Sequence, residues 1–345
     1  QHGRPKLEVV PDWEYRFAPE RLDLVVPEER FVNKFVATRY LRHPDLSAHE
    51  LPPVAHKVIW SVVGGDKEAF DHLINWLACL FQFRQKIGTA WVLSGIEGTG
   101  KGLLFHHIIA PILGRSYCAI RTIADLADSF TGWLENCLIV MIDEAHIDST
   151  HAREKTVAFL KNLITEPVMR IRAMRQNAIE VISRTSVMMS SNNLDAAEVG
   201  TTDRRLNVAP RQEIAIKMTR EEIEALHDEL FQISGYFMNY KADMQLARTP
   251  LNNQAKIDMQ AAGQDSIDTI FTALRTGDLE YFVSYLETAP NTDTIYSYLD
   301  YEKIVKRWIS QIGEPCKVTT TEMHGVYTYL MSARDVSVAK FRKML

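Results

Sequence analysis

The run Gly95-Ile96-Glu97-Gly98-Thr99-Gly100-Lys101-Gly102 narrows what this chain can fold into more than any other stretch. It follows the apolar segment Ala90-Trp91-Val92-Leu93 and leads into Leu103-Leu104-Phe105-His106-His107-Ile108-Ile109, whose apolar positions have helical spacing. Strand, glycine-rich turn and helix, in that order, are the context a phosphate-binding loop requires. Glycines let the backbone curl so that successive N–H groups point inward, and the helix start adds partial positive charge. Gly95, Glu97, Gly98, Thr99, Gly100, Gly102 and Leu103 then form the cradle, and Lys101 reaches the terminal phosphates of a nucleoside triphosphate. The Ser or Thr hydroxyl that usually follows the lysine and ligates magnesium is replaced by Gly102. Magnesium readily keeps water in its shell, so a water can take that place.

The chain of 345 residues is long enough for two or three compact units. With 46% apolar and 24% charged residues it has an ordinary globular composition. A net charge of −5 leaves no global nucleic-acid signature, so any DNA contact must be a local basic patch. Cys79, Cys118, Cys137 and Cys316 are far apart, which argues for reduced thiols in a cytosol. No apolar run approaches the roughly 20 residues that span a bilayer, and no signal peptide is visible. The chain opens on Gln1 rather than methionine, which points to a piece of a longer protein.

Residues 1–53 mix Pro, charge and short apolar runs, the pattern of an arm with strands. Residues 54–87 are helical: a first helix stops at Gly64-Gly65, and Asp66 caps a second with Phe70, Leu73, Ile74, Leu77, Leu80 and Phe81 on one face. Residues 88–215 alternate short apolar strands with helical stretches, the mark of a parallel sheet with crossover helices. Residues 216–253 extend this with a long helix from Arg220 to about Leu246 and a break at Thr249-Pro250. Residues 254–345 are mostly helical, with a short strand at Val318-Thr319-Thr320-Thr321 and a basic amphipathic helix at the end. Such a unit suits either a winged helix or a helical packing domain.

Cys137-Leu138-Ile139-Val140-Met141-Ile142 reads as a buried parallel strand that ends in Asp143-Glu144, at the sheet edge where open α/β sheets bind ligands. On a strand neighbouring the loop strand, Asp143 would hold magnesium through its waters. Glu144 would orient and deprotonate an attacking water. Val187-Met188-Met189 ends in Ser190-Ser191-Asn192-Asn193, and Asn192 is suited to sense the γ-phosphate and that water. Arg204 and Arg205 form a guanidinium pair fitted to stabilise a transferring phosphoryl group, supplied by a neighbouring subunit, with a surface salt-bridge cluster as the plainer alternative. Between the strands, alternation on either side of Ala173 to Asn177 suggests a hairpin carrying Arg170, Arg172, Arg175 and Gln176, preceded by Lys161. Cations with an amide at a hairpin tip can track a single-stranded phosphate backbone, and a solvated surface hairpin is the plainer alternative. His146, Asp148 and His151 lack a further ligand for a zinc site.

In one order, the Lys101 loop, Asp143-Glu144, Lys161 with its hairpin, Asn192 and Arg204-Arg205 resemble the superfamily 3 helicases of the AAA+ ATPases. More narrowly, the Gly-x-Glu-Gly-Thr-Gly-Lys-Gly run with Asp203-Arg204-Arg205 looks like the primase-helicase branch of phages and plasmids, in which Gly102 is a family variant. The resemblance covers about residues 88–210. It implies an AAA+-type P-loop core, ATP and magnesium as cofactors, and a homo-oligomeric, hexameric ring around single-stranded or forked DNA that moves 3′ to 5′. It also implies a linked N-terminal primase-polymerase, no membrane partner, and a phage-encoded protein working in a bacterial host cytoplasm. Lys161, Arg172 and Arg175 would face the pore, and Arg204 or Arg205 would complete a neighbour's site. A ring or template-binding module with weak turnover is the alternative that Gly102 suggests. An initiator or loader acting on duplex DNA is a third.

Overall fold

The computed structural model describes residues 12–127, 130–143, 152–173, 177–191, 204–286, 295–311, 317–330 and 337–344; for 127, 152–155, 260–269, 295–297, 340 and 343–344 it describes the backbone alone. At its centre lies a five-stranded parallel sheet. The strands β4 (Ala90–Ser94), β5 (Cys118–Arg121), β6 (Ile139–Ile142), β9 (Ser186–Ser191) and β10 (Leu206–Val208) run in the order β10-β4-β9-β6-β5. A parallel sheet is covered on both faces, so its strands read as unbroken apolar runs. Alternate side chains then go to different layers. Trp91, Leu93, Ile139, Met141 and Met188 pack with the helices Pro53–Val62, Lys67–Phe83 and Leu230–Asn239. Ala90, Val92, Val140, Ile142, Val187 and Met189 pack on the other side with Leu160, Leu163 and Ile164 of the helix Ala152–Thr165. The chain is thus a mixed α/β protein with a parallel sheet flanked by helices.

The arm carries a small sheet of β1 (Glu14–Arg16), β2 (Val25–Val26) and β3 (Phe31–Asn33), with β3 in the middle. Asn33 organises it: its buried side chain accepts from the N–H of Ala18 at 3.0 Å and of Phe35 at 2.9 Å, and donates to the Ala18 carbonyl at 2.8 Å. The Val36 N–H donates to the Tyr117 hydroxyl at 2.7 Å, fastening the arm to the core. A hairpin of β7 (Val168–Ile171) and β8 (Ile179–Ile182) follows the helix Ala152–Thr165, where alternation in the sequence places one.

Two local expectations are corrected. Val318 to Thr321 does not form a strand. Thr319 caps the helix Thr320–Leu330: the Glu322 N–H donates to the Thr319 hydroxyl at 3.2 Å, and the Thr319 N–H donates to the Glu322 carboxylate at 2.9 Å. That reciprocal box outweighs the β-propensity of a threonine run. Among the described residues no strand follows Val208. There Phe282, Tyr301, Val305, Trp308 and Val326 share one cluster, and Ile270, Phe271, Tyr327 and Phe341 another. The single long helix expected from Arg220 is three shorter ones, Arg220–Asp228, Leu230–Asn239 and Met244–Arg248, the last started by the Asp243 side chain.

Asn75, buried in the helix Lys67–Phe83, clasps this extension to the core. Its amide donates to the Asp243 carbonyl at 2.8 Å, and its side-chain oxygen accepts from the Asp243 N–H at 2.8 Å. Replacing it leaves a buried donor and acceptor without partners. In urea unfolding, Asn75→Ala should lose roughly 2–4 kcal/mol; a loss under about 1 kcal/mol would show that water replaces the amide.

Candidate nucleotide site

The glycine-rich run leaves the C-terminal end of β4 and turns into the helical segment that starts with Lys101–Leu103. Leu104 N–H donates to the Gly100 carbonyl at 2.9 Å and closes the first turn, so the N–H groups just before it face out of the helix start. Gly100 sits at φ +94°, a conformation costly for any residue with a Cβ, against Val62 and Ile216. The loop is held from both flanks. Gly95 N–H donates to the Ser191 carbonyl at the end of β9, Ile96 N–H to the Gln212 carbonyl, and Ile216 N–H to the Gly98 carbonyl at 2.8 Å. From the helix Pro53–Val62, the Ser61 hydroxyl donates to the Thr99 carbonyl at 3.0 Å.

Within this cradle the Lys101 ammonium donates to the carbonyls of Gly95 at 2.6 Å, Ile96 at 3.2 Å and Ser191 at 3.5 Å. Burial pushes its pKa down. The Arg211 cation pushes it further the same way, while Asp143 and Glu97 oppose them. Asp143 ends β6 at the same sheet edge, and its carboxylate accepts from the Ser190 hydroxyl at 2.5 Å. The carboxylate strand is not the immediate neighbour of the loop strand, as the sequence suggested. β9 lies between them, with Ser94 opposite Ser191 and Met189 opposite Ile142.

Gly95, Glu97, Gly98, Thr99, Gly100, Lys101, Gly102, Leu103 and Asp143 therefore occupy one edge of the sheet. Glu144 and Asn192 lie outside the described residues, immediately beyond the ends of β6 and β9. Arg204 and Arg205 are elsewhere. They precede β10, where Ala90 N–H donates to the Arg205 carbonyl, at the start of β4 rather than at its end. At about 3.3 Å per residue, a strand of this length separates them from the loop by roughly 13–17 Å. Lys161, Arg170 and Arg172 are exposed on the helix Ala152–Thr165 and the hairpin, with Arg170 paired in register with Glu180. Arg175 and Gln176 fall outside the described residues, as do His146, Asp148 and His151; among the described residues no cluster could hold a metal ion.

Two residues escaped the sequence reading. Arg211 and Gln212 follow β10 at the loop's edge. Gln212 brackets Gly95, and Arg211 is the second cation there. Their position just after the apolar run Leu206 to Pro210 was the available signal. Arg211 to Lys217, with Lys57, Trp60, Ser61, Gly64 and Gly65, line a cleft of about 610 Å³ beside the loop. Phosphate groups fit this edge. The loop backbone is already curled, and the Lys101 ammonium lies against its Gly95 and Ile96 carbonyls.

A family model described as a family of unknown function, DUF5906, matches residues 93–205, from the end of β4 to the arginine pair. The class that the fold defines is that of mixed α/β proteins with a five-stranded parallel sheet flanked by helices. The DNA primase-polymerase of Nitratiruptor phage NrS-1 is 24% identical over 284 residues, a match covering 81% of this chain and 39% of that protein. The apo structure of the NrS-1 C-terminal region superposes with a TM-score of 0.67 at 21% identity, over 98% of this chain and 80% of that one. A second apo form gives 0.63 at 20% identity. The two share a fold. No described helix is long and apolar enough to cross a membrane.

The loop glycines differ in a testable way. A Cβ on Gly95 would lie 2.8 Å from the Gln212 carbonyl oxygen, whereas one on Gly102 would meet nothing closer than His106 at 3.9 Å. Gly102→Ala should raise stability by roughly 0.5–1 kcal/mol in thermal unfolding, and Gly95→Ala should lower it. Equal effects would contradict the bracing by Gln212.

Proposed function

We propose that the chain is the motor module of a phage replication protein, coupling Mg-ATP hydrolysis to translocation on single-stranded DNA and duplex unwinding. The observation that carries this reading is the convergence of Lys101 and Asp143 at one edge of the sheet, joined through the end of β9. The loop N–H groups and Lys101 bind the phosphates, and the adjoining cleft takes the base and sugar. Bound magnesium would spread positive charge over the phosphates, with Asp143 holding its water shell. Ser190 fixes the orientation of the Asp143 carboxylate. By resemblance, Glu144 orients and deprotonates the attacking water and Asn192 reads the γ-phosphate.

Within one copy, Arg204 and Arg205 are remote from the loop, so their phosphoryl-stabilising role belongs to a neighbouring copy in a ring. Lys161, Arg170, Arg172, Arg175 and Gln176 would follow a strand backbone through the pore. An N-terminal primase-polymerase linked to this module, in a bacterial host cytoplasm, belongs to the same proposal. The relative's name and the 39% of its length that is matched support it. A second reading, a nucleotide-dependent ring or template-binding module with little turnover, is favoured by Gly102, which offers magnesium no hydroxyl.

Steady-state ATP hydrolysis should rise severalfold with single-stranded DNA and fall roughly a hundredfold in Lys101→Ala. Mixing Lys101→Ala with the Arg204→Ala/Arg205→Ala variant should restore part of the activity, because one interface in the mixed ring is complete. An assembled oligomer with no DNA-stimulated hydrolysis would remove the motor reading. If Gly102→Ser then gains turnover, the weak-turnover reading stands in its place.

A further inference from the structure

At the opposite edge of the sheet, before the strands rather than after them, lies a second cavity of about 520 Å³. It is lined by the approach to β4 (Gln85, Lys86, Ile87, Gly88), the end of the helix Ala152–Thr165, Ser183 and Arg184 at the foot of the hairpin, Arg248, and Glu20 from the arm. The length of β4 separates it from the Lys101 loop, so it is no extension of the nucleotide site.

The lining groups are mostly donors. Lys86 donates to the carbonyls of Leu163 at 2.7 Å and Glu166 at 2.6 Å; an ammonium has three donors, which leaves one for the cavity. Arg184 engages Glu20 at 3.2 Å and Arg248 is exposed, so three cations and one carboxylate line the cavity, with Glu166 beside Lys86. Ser183 adds a neutral donor at the cavity wall. It is 4% exposed and lines the cavity, yet its hydroxyl has no hydrogen-bond partner among the described residues. A buried hydroxyl left unpaired is costly, and a ligand with oxygen acceptors relieves it.

We propose that this cavity is a phosphate-binding site, taking a phosphate monoester or diester through Ser183, Arg184, Arg248 and Lys86. A bidentate guanidinium beside a hydroxyl and an ammonium suits a tetrahedral oxyanion, and the volume admits an attached sugar. Two sources share this chemistry: a free nucleotide, and the backbone of a strand passing along the hairpin, whose exposed Arg170 and Arg172 lead away from Ser183.

The test uses the full chain carrying Lys101→Ala, which separates this site from the loop. Binding of inorganic phosphate, a deoxynucleoside monophosphate and a short oligothymidylate is measured by calorimetry. Adding Ser183→Ala and Arg248→Gln should weaken phosphate binding roughly tenfold or more, with an unchanged melting curve. If the oligonucleotide loses affinity by the same factor and competes with phosphate, the source is the strand. If the monophosphate alone does so, the source is a free nucleotide. Lys86, facing Glu166, Glu20, Arg184 and Arg248, is pushed by burial to a pKa of about 8. Binding of sulfate, whose charge is constant, should therefore weaken between pH 7 and about 9. Phosphate binding equal in the triple variant and in Lys101→Ala would overturn the proposal.

Discussion

The loop around Lys101 keeps its shape because other segments hold it. Its glycines permit the curl, but permission is not stability, and a loop this rich in glycine loses much conformational freedom when it orders. That cost is offset by hydrogen bonds from two flanking segments. The end of β9 takes the Gly95 N–H, Gln212 takes the Ile96 N–H, and Ile216 donates back to Gly98. The segment 211–217 is in turn tied to the helix Pro53–Val62, where Lys57 donates to the Lys217 carbonyl at 2.9 Å and bridges to Glu222 at 2.7 Å. The helical region before the sheet and the extension after it thus share the work of shaping the cradle.

The core was legible in the sequence because its signals are strong and short-range. Unbroken apolar runs such as Leu138 to Ile142 have one good use in a globular chain, and the glycine-lysine run has few. Asp66 as a cap and the break at Thr249-Pro250 were equally local. What failed was of another kind. The order of strands, with β9 inserted between the loop and Asp143, depends on long-range pairing that no local pattern encodes. Thr319 was misread because a threonine run and a capping box look alike until Glu322 is counted. Arg211 and Gln212 were missed because the short run before them marks a strand end but does not say that this strand lies beside the loop, a long-range pairing.

The sheet has two chemically distinct edges. The edge with Lys101 and Asp143 carries cations and a carboxylate together, held by backbone contacts. The opposite edge holds the cluster of Lys86, Arg184 and Arg248 with the acids Glu20 and Glu166, and the arginine pair before β10. An edge whose cations outnumber the acids beside them suits anions supplied from outside the chain.

β9 carries the last consequence. Ser190 holds the Asp143 carboxylate, and Ser191, the next residue, meets both the Gly95 N–H and the Lys101 ammonium through its carbonyl. The lysine and the acid are therefore gauged against each other by a single peptide unit, about 3.8 Å from one Cα to the next. A strand is a stiffer ruler than any loop. Their spacing survives disturbance at the rim of the molecule, and shifts only if the middle of the sheet itself slides.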